Sequence, residues 1–147
     1  MEKKIMLFIS IMLLLVPVTA RAARYSVNGD GTVTDNVTGL MWQQEDDDTT
    51  RTWEQAITYC ENLDIPPTSY MDWRLPNIKE LRSIVDISRT GPAIDTSVFP
   101  NTSSSYWSST AFDYNPDAAW MWASGYGWVS GNYKENTSYV RCVRGGQ

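Results

Sequence analysis

The chain contains no histidine, and that absence removes more chemistry than any other. Without imidazole there is no Ser-His-Asp triad, no histidine-ligated zinc and no imidazole general base. Ser103-Ser104-Ser105 and Ser108-Ser109 therefore have no histidine partner to activate them, and they read as loop and strand residues. Cations are scarce as well. The 12 Lys and Arg stand against 17 Asp and Glu with no basic stripe, which argues against nucleic-acid binding. No apolar run reaches the roughly 20 residues that a membrane-spanning helix needs. Cysteine is limited to Cys60 and Cys142.

What is present first is an export signal. Residues 1–22 open with Lys3 and Lys4, continue as an apolar run over 5–18, and end in the small-residue steps Val18-Thr19-Ala20 and Ala20-Arg21-Ala22. Cleavage after Ala20 or Ala22 is expected, with no cysteine nearby to carry a lipid and no membrane span left in the mature chain. The remaining roughly 125 residues suit one domain, 24–147, with a single core. Losing Lys3, Lys4 and Arg21 makes that domain more acidic than the −5 of the whole chain. Such a surface favours solubility and disfavours polyanionic ligands. The expected location is periplasmic, secreted or at the cell surface of a bacterium. Two thiols in an exported chain are expected to join, tying a helix near residue 60 to the last strand. The bridge would also withdraw both cysteines from catalysis.

Patterning along the chain gives an α+β order. Tyr25-Ser26-Val27 and Thr32-Val33-Thr34 flank the turn Asn28-Gly29-Asp30-Gly31, and Asn36-Val37-Thr38-Gly39 leads into Leu40-Met41-Trp42. The acidic run over 45–48 reads as a solvated loop. Thr52 and Gln55 form a capping box ahead of an apolar face made by Trp53, Ala56, Ile57, Cys60 and Leu63. Pro66-Pro67 ends that segment. Asn77 and Glu80 begin a second helix, whose buried stripe is Ile78, Leu81, Ile84 and Val85. Tyr106-Trp107-Ser108-Ser109-Thr110 is a short strand. Residues 119–123 and 128–130 flank the hairpin turn Ser124-Gly125-Tyr126-Gly127, and 138–143 is the final strand. Strands, two helices and strands again allow the chain ends to meet in one antiparallel sheet.

Several of these segments, in this order, resemble the C-terminal domain family of the Legionella collagen-like protein. They are Asn28-Gly29-Asp30-Gly31-Thr32-Val33-Thr34-Asp35, Thr38-Gly39-Leu40-Met41-Trp42 and Thr52-Trp53-Glu54-Gln55-Ala56. Asp72-Trp73-Arg74-Leu75-Pro76-Asn77-Ile78-Lys79-Glu80-Leu81, Tyr106-Trp107-Ser108-Ser109-Thr110 and Val140-Arg141-Cys142-Val143-Arg144-Gly145 complete the set. The resemblance implies a C-type-lectin-like fold, with two helices packed on antiparallel sheets, paired chain ends, and a bridge from the first helix to the last strand. Cys60 and Cys142 match that bridge. It also implies an exported or surface protein. The namesake is an adhesin whose domain is trimeric and binds sulfated polysaccharides. This chain is net acidic and carries no collagen-like repeats.

The residues that would carry function lie between 112 and 134. Calcium-dependent lectins of the implied fold use Glu-Pro-Asn or Gln-Pro-Asp with Trp-Asn-Asp, and neither pattern is present. The nearest echo is Asp113-Tyr114-Asn115-Pro116-Asp117, where Asp113, Asn115 and Asp117 would offer calcium three oxygen side chains. Asn-Pro-Asp is also an ordinary turn, so no cofactor is expected. Aromatics are the denser signal. Trp120 and Trp122 share one face of their strand, while Trp42, Trp53, Trp73 and Trp107 are assigned to the core. Asp113, Tyr114, Asn115, Asp117, Trp122, Tyr126, Trp128, Tyr133 and Lys134 are the candidate contacts for a ligand, since Tyr, Ser, Gly and Asn are what adaptable binding loops use. Formylglycine-generating enzymes share a related fold but need a reactive cysteine pair, so no catalytic residue is expected. The expectation is a non-catalytic module that recognises a glycan or protein, with homo-oligomers open. The alternatives are a structural subunit of an envelope assembly and a diversified variable binding protein.

Overall fold

Asn28-Gly29-Asp30-Gly31 turns the chain where expected, with Gly29 and Gly31 at φ 78° and 82°. Asp30 Oδ1 accepts from the Thr32 N–H at 3.0 Å and the Thr32 hydroxyl at 2.6 Å, so this carboxylate is spent on the turn. A computed structural model describes residues 23–102 and 104–145 of the chain. The expected signal segment, 1–22, lies outside the described residues.

Two antiparallel sheets and two short helices make an α+β fold. The elements run β1 (Tyr25–Val27), β2 (Thr32–Asp35), β3 (Met41–Gln43), α1 (Trp53–Glu61), α2 (Ile78–Ser83), β4 (Ser105–Phe112), β5 (Asn115–Ala123), β6 (Trp128–Tyr133) and β7 (Val143–Arg144). One sheet has the order β1-β2-β3-β7 and the other β4-β5-β6. The chain ends do meet: Met41 pairs with Arg144 and Trp42 with Val143.

Both helices start on their capping boxes. Thr52 accepts from the Gln55 N–H and Gln55 accepts from the Thr52 N–H; Asn77 and Glu80 do the same for α2. Ala56 and Cys60 are the fully buried face of α1, and Leu81 that of α2. The bridge forms between Cys60 and Cys142, 82 positions apart. It lies in one apolar cluster with Trp73, Trp107 and Val140, while Trp42, Phe99, Tyr106 and Trp122 form the second.

Three expectations need correction. The final strand expected over 138–143 is replaced by β7 at Val143–Arg144, so only Val143 of the expected span lies in regular sheet. Ser138 bridges to Arg51, Tyr139 runs parallel to Tyr106, and the Cys142 N–H donates to Gln43 Oε1 at 3.1 Å. Its backbone bonds are thus shared among several partners, Arg51, Tyr106 and Gln43 among them. Next, the acidic run is not all solvated. Asp46 is buried, accepting from the Tyr106 hydroxyl and lying 3.7 Å from the Arg141 guanidinium. Finally, Asn115, Pro116 and Asp117 belong to β5. Phe112 pairs directly with Asn115, so only Asp113 and Tyr114 remain as the turn.

Candidate functional site

The β4-β5-β6 sheet sorts the candidate residues onto different faces. β5 and β6 pair in unbroken register from Ala118↔Tyr133 to Ala123↔Trp128. With side chains alternating, Trp120, Trp122, Val129, Gly131 and Tyr133 lie on one face, and Met121, Trp128, Ser130 and Asn132 on the other. Trp122 is completely buried, stacked on Tyr106 at 5.5 Å between ring centroids. It cannot meet a ligand. Two-residue spacing showed that Trp120 and Trp122 share a face, but not that Leu81 and Ile84 at α2 cover the Trp122 end of it.

Toward the Tyr133 end that same face opens into a cleft of about 390 Å³, lined by Phe112, Asn115, Ala118, Ser130–Asn132 and Tyr133. Gly131 is what makes room for it. A Cβ there would stand 2.8 Å from the Phe112 ring, which packs edge-on against Trp120 at 4.6 Å and Tyr114 at 5.7 Å. Asn115 Oδ1 accepts from the Asp117 N–H at 2.9 Å, which orients the amide and leaves its Nδ2 as a donor. Asn132 is held by Asn136 at 2.8 Å. The site therefore combines an exposed tyrosine ring, an edge-packed phenylalanine and the positioned Asn115 amide, while the Asn132 side chain lies on the other face of the sheet.

Asp117, Tyr133 and Lys134 line a neighbouring hollow of about 410 Å³ with Glu54 and Glu135. Lys134 is committed to the fold: its Nζ donates to the Pro116 carbonyl at 2.7 Å and lies 4.4 Å from the centre of the Trp53 ring. The charge left at this end of the sheet is negative. Among the described residues no three His, Cys, Asp or Glu side chains come together as metal ligands do.

Tyr126 and Trp128 sit at the opposite end of β6. Their rings are 5.6 Å apart, and both are mostly exposed, as is nearby Ile87. The hairpin tip is clamped on the segment after α2. Gly91 N–H donates to Gly125 O at 2.9 Å, Ala93 N–H donates to Ser124 O at 2.6 Å, and a Cβ on Gly127 would stand 2.9 Å from Val85. The single surface expected over 112–134 is thus two separate ones. Tyr114, Asn115 and Tyr133 gather at one end, and Tyr126 and Trp128 at the other. Phe112, Gly131 and Asn132 were missed as cleft residues. The signal available was a glycine inside a strand pattern, which marks close approach of another group.

Buried charge supports this platform from beneath. Arg141 is fully enclosed, donates to Gln43 O at 3.0 Å and Thr102 Oγ1 at 3.2 Å, and faces Phe99 and Tyr106. Since Tyr106 is stacked on Trp122, the network fixes the inner part of the β4-β5-β6 sheet.

No curated protein matches the chain. The sequence model of the Lcl C-terminal domain does match, over residues 31–144. That span runs from the end of the first turn to the last strand and includes every strand except β1, both helices and the bridge. The chain belongs to the Lcl C-terminal domain family.

Proposed function

We propose that this chain is an exported, non-catalytic module of C-type-lectin-like architecture that holds a neutral glycan in the Phe112–Tyr133 cleft. The observation that carries the reading is the cleft's composition. Apolar ring surface stands beside the Asn115 amide that the fold has already oriented, which is what a sugar with apolar C–H faces and polar hydroxyls requires. A neutral ligand is favoured over a sulfated one. The adjoining hollow carries Glu54, Asp117 and Glu135, and Lys134, its one cation, is bonded to Pro116 and placed over Trp53. Export is supported by the signal-like N-terminus and by the disulfide, which persists in oxidising compartments. The lack of histidine and the bridging of both cysteines favour binding over catalysis.

A glycan array, read with and without calcium, tests the proposal. Neutral oligosaccharides are expected to bind in both conditions. Tyr133→Ala should weaken them five- to tenfold, corresponding to about 1–1.5 kcal/mol for one aromatic contact. Binding that is restricted to sulfated glycans, or that is unchanged by Tyr133→Ala, would refute it. A protein partner is the second reading, favoured by the exposed Tyr126–Trp128 pair. Cross-linking in the periplasm that captures a partner through this end, with a silent array, would support that reading instead.

A further inference from the structure

The outer edges of the ligand-bearing sheet are treated differently. β4 is covered: Trp107 N–H donates to Tyr139 O, Tyr139 N–H to Ser105 O, and Ser109 N–H to Pro76 O. β6 pairs with β5 alone. Lys134 N–H donates to Asp117 O at 2.8 Å, and hydrogen-bonded positions alternate along an antiparallel strand. Trp128, Ser130, Asn132 and Lys134 therefore bond inward to β5, while the backbones of Val129, Gly131 and Tyr133 point away from it. Among the described residues these outward groups meet little. Asn136 N–H donates to Tyr133 O at 3.0 Å, and the Ser130 hydroxyl reaches Gly131 O only at 3.4 Å.

Exposed edges are usually blunted by charge, proline or a bulge. β6, Trp-Val-Ser-Gly-Asn-Tyr, has none of these, and its register with β5 is regular throughout. We infer that β6 pairs antiparallel with β6 of a second copy of this chain, about a two-fold axis at Gly131. The cross-strand pairs that this register makes favour that occupant. Centring on Gly131 aligns all three outward residues, Val129 with Tyr133, Gly131 with Gly131, and Tyr133 with Val129. The tyrosine–valine contacts are aromatic on β-branched, a favoured cross-strand pair. Ser130 faces Asn132, Trp128 faces Lys134, and no like charges oppose. Glycine at the axis leaves the backbones free to close.

The product is a six-stranded sheet with its two-fold axis perpendicular to it, so both Phe112–Tyr133 clefts open on the same side. Each also gains Val129 of the other copy beside Tyr133. If the cleft holds a glycan, the pair is bivalent, and a multivalent surface would retain it about a hundredfold or more above one site. That consequence rests on the proposed function; the pairing does not.

Sedimentation of the mature oxidised chain at micromolar concentration tests the pairing separately from any ligand. A dimer is expected. Val129→Pro should make it monomeric while keeping the disulfide and the circular dichroism, because the Val129 N–H points away from β5 and meets no acceptor among the described residues. Val129→Lys gives the same readout without altering the backbone. In a variant carrying both Ser130→Cys and Asn132→Cys, the two positions face each other across the axis at about 4.5 Å between Cα atoms. Oxidation should then yield a covalent dimer. A monomeric or trimeric wild-type chain, or a dimer that survives both Val129 variants and forms no cross-link, would overturn the inference.

Discussion

Asp46 and Arg141 lie 3.7 Å apart with neither side chain reaching solvent, 95 positions apart in a chain whose other ion pairs sit nearer the surface. Arg141 also donates to backbone carbonyls, and Asp46 accepts from Tyr106, so each charge is held on several sides. Such a pair contributes little net stability when intact but is costly to break, because the survivor is left charged and enclosed. Asp46→Ala is expected to cost about 3–5 kcal/mol in urea unfolding. Adding Arg141→Met should recover part of that loss. A double variant as unstable as the sum of the two singles would show that the residues are not coupled.

The bridge should matter comparably. Cys60 and Cys142 close a long loop, and on the chain-entropy model a loop of that length is stabilised by about 4–5 kcal/mol. Replacing both with alanine should lower the thermal midpoint by roughly 15–20 °C, since 1 kcal/mol moves a domain of this size by about 4 °C. A variant that melts within a few degrees of the oxidised chain would mean that the unfolded state is already restrained without the bridge.

Local signals were legible and distant ones were not. Both capping boxes and the Asn28–Gly31 turn involve residues within three or four positions of one another, so the bonds that form them are written in adjacent letters. Asp46 looked like its acidic neighbours because its burial depends on Arg141 and Tyr106, which arrive from far down the chain. Asn-Pro-Asp looked like a loop because proline and asparagine favour turns, yet the tight Asp113-Tyr114 turn lets β5 begin at Asn115. Alternation placed Trp122 beside Trp120, but only the packing of Tyr106 decides which ring is covered. The cleft was half-visible: Asn115 and Tyr133 came from composition, while Phe112 and Gly131 needed the register.

Acid should weaken the Arg74–Glu80 link. Burial alone would raise the Glu80 carboxyl, but the two-pronged bond from Arg74 at 2.7 and 2.8 Å and the Asn77 N–H outweigh it and hold it below the usual range. A depressed carboxyl contributes its stability above the unfolded value, and that contribution is lost as pH falls through the folded one. The thermal midpoint should therefore be flat near neutrality and fall below about pH 4.3. Glu80→Gln keeps a capping partner for Asn77 but removes the charge. It should lower the midpoint at pH 7 and converge with the wild type in acid. Parallel curves across the whole range would show that the Glu80 charge does not contribute.

Base should act through Tyr25. Burial pushes its hydroxyl up to about 12, an effect that neighbouring Arg24 only partly offsets. The folded chain then holds a proton that the unfolded chain releases from about pH 10. The stability from this group is complete below pH 10 and is lost as pH rises toward 12. Tyr25→Phe should remove that alkaline decline. Ultraviolet titration would show one fewer late-ionising tyrosine in the variant, and an unchanged titration would assign the late group elsewhere.

Gly131 and Gly125 separate crowding from glycine's general flexibility. A Cβ at Gly131 would meet three atoms of the Phe112 ring at 2.8–3.0 Å, whereas at Gly125 it would meet nothing within 4 Å. Phe112 cannot simply swing aside, because Trp120 and Tyr114 pack against its ring. Gly131→Ala should therefore cost about 1–3 kcal/mol, the range for overfilling a packed site. It should also change the near-ultraviolet circular dichroism as the aromatic cluster shifts. Gly125→Ala should stay within about 0.5 kcal/mol of the wild type, as open surface positions do. If the two variants lose equal stability, backbone stiffening explains both, and Gly131 is not what shapes the cleft.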